Sequence, residues 1–268
     1  MKSINNPSDL PGWINLKQSQ GSYFFDRDEA QDALKMSAMA FRQAVARLTE
    51  KNRIVRVHSG FYVIIPLEYA ASGILPAEWF IDDFMLHVGQ PYYVGLLSAA
   101  ILHGAAHQQP QQYHIVTTKP MREARLKNLV LRFFVKKGFS HTSVIRIKVQ
   151  TGFIAVSTPE ATALDLVRYA RSIGGLDRVL TVLQELGEVL HADKLVEAAQ
   201  SDGNVTYAQR LGWLLDKAGF PDITNDLARW SSQKKPFPAK LEPSLPIKGA
   251  FLDTRWNLFL NAVVESDL

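Results

Sequence analysis

The 268-residue chain contains no cysteine, which excludes disulfides, thiolate metal sites and cysteine nucleophiles. No run approaches the roughly 20 apolar residues needed to span a bilayer. The opening MKSINNPSDLPGWINL also lacks the apolar centre of a signal peptide, so a cytoplasmic protein without a membrane partner is expected. Catalytic signatures are missing as well. There is no Gly-Lys-Ser/Thr phosphate loop and no Gly-x-Ser-x-Gly elbow. Metal-dependent nucleases place an acid two positions before a lysine, and Glu123-Ala124-Arg125 is only a near miss. His103 and His107 have zinc-like spacing in HGAAH, yet no glutamate lies between them and no third ligand suggests itself. His103 therefore reads as a capping or core histidine, and no enzymatic activity, metal or cofactor is expected.

With 47% apolar and 21% charged residues, the chain has the composition of a soluble globular protein. Its length allows about two domains. A net charge of +4 permits nucleic acid as a partner without requiring it, so local clustering carries more information than the total.

The densest pattern runs from Tyr23 to Ile65. A short apolar strand, Tyr23 to Phe25, precedes Asp26, which can cap a helix running to about Leu34. Ser37 can cap a second helix that continues through Lys51, and Phe41, Val45 and Leu48 recur on one face of it. The opposite face carries Met39, Arg42, Gln43, Ala46 and Arg47. Arginine and glutamine can reach base edges, and a small alanine lets a helix sit close to a groove floor. Ile54 to Val57, a His58-Ser59-Gly60 turn and Phe61 to Ile65 read as a hairpin, the wing of a winged helix-turn-helix. Between Lys35 and His58 stand six basic residues against Glu50 alone, while acids crowd Asp26 to Asp32. Phosphate neutralisation supplies most of the free energy of duplex binding, so this segregation favours a DNA reader over a merely solvated helix. The expected contacts are Ser37, Met39, Arg42, Gln43, Ala46 and Arg47 on the helix, with Arg56, His58 and Ser59 on the wing.

Leu67 to Leu75 reads as a connector with a glycine pivot, giving an N-terminal domain at 1–66 and a second domain at 76–268. In the second, helices are expected at Ala77 to Val88 and Tyr92 to His103. Strands are expected at Tyr113 to Thr117, Leu129 to Val135, Val144 to Val149 and Phe153 to Ser157. Thr158-Pro159-Glu160 starts a run of further helices, and Leu252 to Val264 packs back as a terminal element. The fold class is thus α+β, with a small mostly antiparallel or mixed sheet. Lys119 to Lys148 holds nine basic residues against Glu123: Lys119, Arg122, Arg125, Lys127, Arg132, Lys136, Lys137, Arg146 and Lys148. Three readings stay open for them: a second DNA contact, a docking face for an acidic or RNA-bearing partner, or the solvated side of a sheet.

Four blocks carry a family resemblance: GFYVIIP (Gly60 to Pro66), EYAASGILPAEWFIDDFM (Glu68 to Met85), YYVGLLSAAILHGAAHQQP (Tyr92 to Pro110) and STPEATALDLV (Ser157 to Val167). Together they resemble the AbiEi antitoxins of type IV toxin-antitoxin, or abortive infection, systems. The resemblance implies a repressor that binds inverted repeats in its own promoter. It also implies a C-terminal domain that opposes a co-encoded nucleotidyltransferase toxin without forming a stable complex, through a basic surface for which Lys119 to Lys148 is the natural candidate. Two alternatives remain at this level. One is a stand-alone winged-helix regulator with a sensor domain. The other is a nucleic-acid enzyme using Asp82, Asp83, Glu160 and Asp165, although Glu160 reads more simply as a helix-start acid and Asp165 as a surface residue.

Overall fold

The computed structural model describes residues 7–105 and 111–266. The chain begins with α1 (Leu10–Ser19), β1 (Phe24–Asp26), α2 (Arg27–Leu34), α3 (Ala38–Glu50), β2 (Ile54–His58) and β3 (Phe61–Ile64). These strands form a sheet in the order β1-β3-β2, antiparallel throughout. Then come α4 (Ile81–His87), β4 (Tyr92–Val94), α5 (Leu96–Leu102), β5 (Gln112–Thr117), β6 (Ala124–Leu126), β7 (Leu129–Val135), β8 (Val144–Val149) and β9 (Gly152–Ser157). A run of helices follows: α6 (Pro159–Arg168), α7 (Gly175–Leu186), α8 (Ala192–Asp202), α9 (Val205–Lys217) and α10 (Asn225–Gln233). Three short strands close the described chain: β10 (Ala239–Lys240), β11 (Phe251–Asp253) and β12 (Leu258–Leu260). The architecture is α+β.

Strands β4 to β9 build one mixed six-stranded sheet in the order β6-β7-β5-β4-β9-β8. Alternation along a strand divides its side chains between two cores. Tyr93 and Val116 enter the cluster formed with α5 to α10, whereas Val94 and Ile115 enter a second cluster with α4. The three-stranded sheet is divided in the same way. Phe25, Ile54, Tyr62 and Ile64 pack on α1 and α3, while Val57, Phe61 and Val63 join Phe80, Ile81 and Phe84 in the second cluster. Apolar packing thus runs unbroken from the hairpin across 67–75 to the larger sheet.

Several local expectations need correction. Tyr92 to Val94 is a strand, with α5 starting only after Gly95; Tyr93 and Val94 must alternate across the sheet to reach both cores. The stretch 77–79 is a single 3₁₀ turn ahead of α4; the terminal region does pack back on the core as expected, through Trp256, Leu258 and Val264, and forms β11 and β12 there. Asp26 is the N-cap residue of α2 but makes no side-chain cap bond, because its carboxylate faces His87 Nδ1 at 2.7 Å. By contrast Thr158 accepts from Ala161 N at 3.3 Å, with Pro159 in the first turn as expected.

Asp83 on α4 is half-buried beside Asp82 and Asp26, with Lys17 of α1 as a partial counter-charge. Burial first, and Asp82 second, push its carboxyl up to about 6. The native state therefore holds this proton at pH values where the unfolded chain has released it. The associated stabilisation is present at low pH and lost as pH rises through about 6. Replacing Asp83 by asparagine is expected to stabilise the protein by about 1 kcal/mol near pH 8, after allowing for solvent screening, and to have little effect near pH 4. Urea midpoints at the two pH values check this; an equal gain at both would contradict the assignment.

Candidate nucleic-acid interface

Helix α3 has alanine at three of its first seven positions and no Gly or Pro, so its backbone preference agrees with its fold. Ser37 Oγ accepts from Ala40 N at 3.2 Å, satisfying one free amide of the first turn. Phe41, Ala44 and Leu48 are buried and fix the helix to the core with Tyr62 and Ile64. Ala44 takes the place expected for Val45, which is only partly buried. Met39, Arg42, Gln43, Ala46 and Arg47 are all exposed on the outward face, and Met39 is 61% exposed. Ser37 is exposed too, but its oxygen already serves the cap.

The hairpin brings Arg56 and Ser59 beside this helix, whereas His58 does not line the cleft they share with it. A register shift between Arg56 and His58 and the positive φ of Gly60, +82°, turn the chain tightly. Arg56 Nε donates to His58 O at 3.3 Å. His58 and Ser59 also face α4: the His58 ring lies 6.1 Å from Phe84 and 6.3 Å from His87, and Ser59 O lies 3.2 Å from His87 Nε2. Between α2, α3 and the hairpin turn opens a cleft of about 370 Å³. Arg27, Asp28, Arg42 and Arg56 all line it, so at least one acid of α2 faces the basic side. Arg27 was hidden in the sequence by the acids around it.

The nine-residue basic stretch divides. Arg125 and Lys127 belong to β6 and its following turn at one edge of the six-stranded sheet, whereas Arg146 and Lys148 lie on β8 at the other. Five strand spacings of about 4.8 Å separate those edges, so the nine do not form one compact patch. Lys119, Arg122 and Lys137 are exposed. Arg132 is partly buried, with its guanidinium 5.5 Å from the Phe134 ring and 3.4 Å from Glu123.

Lys136 must be removed from any surface, because it is 4% exposed. Its Nζ lies 2.8 Å from Asp165 Oδ1 and 3.4 Å from Asp202 Oδ1. Asp165 is likewise fully buried, contrary to its reading as a surface residue, and accepts from Tyr93 Oη at 2.7 Å. Burial, then Asp165, pushes the Tyr93 hydroxyl well above the usual phenol range. Arg168 donates to Asp202 and lies 4.4 Å over the Tyr207 ring. Glu160 is also buried, accepting from His191 N at 3.1 Å. Thus two of the four acids weighed for catalysis are committed to structure. Asp82 accepts from Tyr92 Oη at 2.8 Å. Among the described residues no group of three or more His, Cys, Asp or Glu is placed to hold a metal. His103 Nε2 lies 2.8 Å from Ser157 O, and His107 is outside the described residues.

The domain holding this buried ionic cluster has a known relative. Residues 93–217 match the AbiEi antitoxin C-terminal domain. The AbiEi match opens inside β4, takes in the rest of the six-stranded sheet and ends at the last residue of α9. Tyr93, Lys136, Asp165, Arg168, Asp202 and Tyr207 all fall within the AbiEi region, whereas α3 and the hairpin lie outside it. No curated protein matches the chain. The crystal structure of the Rv2827c protein from Mycobacterium tuberculosis superimposes with a TM-score of 0.66 at 13% identity, covering 99% of this chain and 95% of that one. At that identity the likeness concerns the fold. Among the described residues no helix is long and apolar enough to cross a membrane.

Proposed function

We propose that this protein is the antitoxin of a type IV toxin-antitoxin system and represses its own operon. In this reading residues 1–66 form a winged helix-turn-helix, 67–75 a connector and 76–268 the antitoxin domain. Helix α3 enters the major groove of promoter inverted repeats, with Arg42, Gln43 and Arg47 at base edges or phosphates. Arg56, His58 and Ser59 of the hairpin meet the adjacent backbone. Because β6 packs beside β2, Arg125 and Lys127 extend the same basic surface beyond the wing. The antitoxin domain opposes a co-encoded nucleotidyltransferase toxin without a stable complex.

One observation carries the reading: an AbiEi antitoxin match stands in the same chain as a capped helix that presents Arg42, Gln43 and Arg47 to solvent. The test separates the two activities in the full chain. Arg42→Ala with Arg47→Ala is expected to release a promoter reporter while still rescuing growth of cells expressing the neighbouring gene. A double variant that represses as well as the parent rules out α3 as the reader. A parent chain that never rescues growth rules out the antitoxin role.

A further inference from the structure

The geometry points to a phosphate pocket in the cleft between α2, α3 and the hairpin turn, which grips one phosphodiester of the DNA backbone with Arg27 as its unassigned third arm. The inference rests on the DNA-binding reading above and adds a site to it.

Three arginines from three separate elements line this cleft: Arg27 from the start of α2, Arg42 from α3 and Arg56 from β2. Each is held through its Nε. Arg27 Nε donates to Asp28 Oδ1 at 2.8 Å, Arg42 Nε to Ala38 O at 3.3 Å and Arg56 Nε to His58 O at 3.3 Å. Among the described residues none of their terminal Nη groups makes a hydrogen bond, so three guanidinium forks are oriented yet unspent. Among the described residues three arginines thus share this lining with a single carboxylate, Asp28, which Arg27 already engages. A tetrahedral phosphoryl group resolves the imbalance, because its oxygens match the planar fork and accept charge-assisted bonds from several arginines at once.

The floor is rigid. Phe41 and Tyr62 are buried with ring centroids 5.8 Å apart, and Tyr62 stacks on Phe25 at 5.1 Å. Neither the Tyr62 nor the Ser59 hydroxyl forms a hydrogen bond among the described residues, which leaves two neutral donors at the same cleft. At about 370 Å³ the opening admits a sugar-phosphate chain passing along it, not only a small ion. Arg42 and Arg56 are shared with the proposed reader helix and wing, so a backbone phosphate seated here sets how deeply α3 enters the groove. Phosphate contacts of this kind fix register and orientation without reading sequence.

The test uses the full chain, the duplex from upstream of its gene and an unrelated duplex of equal length, titrated over a range of salt. Arg27→Ala is expected to weaken both duplexes by the same factor, about three- to tenfold, and to lower the log-log salt slope by about one. Asp28→Asn, which removes the competing acid, is expected to tighten both. If Arg27→Ala leaves affinity and slope unchanged while Arg47→Ala weakens binding, the grip on the DNA backbone is wrong and the DNA reading stands. If the parent chain binds neither duplex, the DNA reading itself fails. Calorimetric titration with inorganic pyrophosphate separates the sources of the phosphate. Saturable binding lost in Arg27→Ala, without any effect on DNA, overturns the backbone source and leaves a small-anion site, whereas no binding of either ligand overturns the pocket altogether.

Discussion

Replacing Lys136 by methionine is expected to destabilise the protein by about 3–5 kcal/mol. The lysine side chain is 2% exposed and stands between Asp165 and Asp202, themselves 0% and 3% exposed. Methionine keeps much of the volume but removes the charge. Two carboxylates then remain in a dry site with only Arg168, whose Nε lies 3.8 Å from Asp165. Among the described residues Asp202 Oδ2 already lacks a hydrogen-bond partner, so little slack exists to absorb a second unmet acceptor. Asp165 would still receive the Tyr93 hydroxyl, which limits the loss but cannot neutralise it. The cost arises from an uncompensated charge, not from a lost contact. Lys136→Met combined with Asp165→Asn should therefore recover a substantial part of it, since the amide can accept from Tyr93 without carrying charge. Urea unfolding of the parent, both single variants and the double variant supplies the cycle. A Lys136→Met variant within about 1 kcal/mol of the parent would show that the cluster is hydrated and paired by other groups.

Gly212→Ala is expected to cost at least about 3 kcal/mol, at or above the usual range for an overfilled core. Helix propensity alone predicts the opposite sign, because alanine in a helix interior is worth about 1 kcal/mol over glycine. Sterics decide the matter. A Cβ on Gly212 would stand 2.0 to 2.4 Å from three ring atoms of Trp256. That ring cannot slide aside: Trp256 is 1% exposed, its indole N–H donates to Asp216 Oδ2 at 2.7 Å, and its backbone carbonyl accepts from Gln209 Nε2 at 2.8 Å. Trp256 sits just before β12, so its displacement would also unseat the small terminal sheet from α9. Pairing Gly212→Ala with Trp256→Leu should cost less than the sum of the two single changes, because the smaller side chain vacates the space that the methyl needs. Additive losses in thermal or urea unfolding would contradict the proposed clash.

How much of this was legible beforehand depended on whether the signal was local. The bounds of β7 and β8, the Ser37 cap and the Thr158-Pro159 helix start rest on neighbouring residues, and all appear as read. Strand β4 was misread because an apolar run of small and aromatic residues suits a buried helix and a buried strand alike. Helix α10 went unread since it offers only Leu227 and Trp230 as buried apolar positions within nine residues. The candidate interface follows the same logic. Exposure of Arg42, Gln43 and Arg47 came from helical period, whereas Ala44 displaced Val45 because periodicity cannot tell which of two adjacent apolar residues faces the core. Lys136 looked like any other member of a basic run. Only its meeting with Asp165, 29 positions away, and with Asp202 shows that it belongs inside. Arg27 was obscured in the same manner, since its partners in the cleft come from α3 and β2.

The account turns on α3 as a reader of DNA, and the most direct measurement is an equilibrium titration of the duplex from upstream of the gene with the parent chain and with Arg42→Ala/Arg47→Ala. Arg47 at a base edge contributes about 1–3 kcal/mol and Arg42 on the backbone phosphate about a further three- to tenfold, so the double variant should bind at least about 15-fold more weakly. Superimposable titration curves for the two proteins would contradict the account.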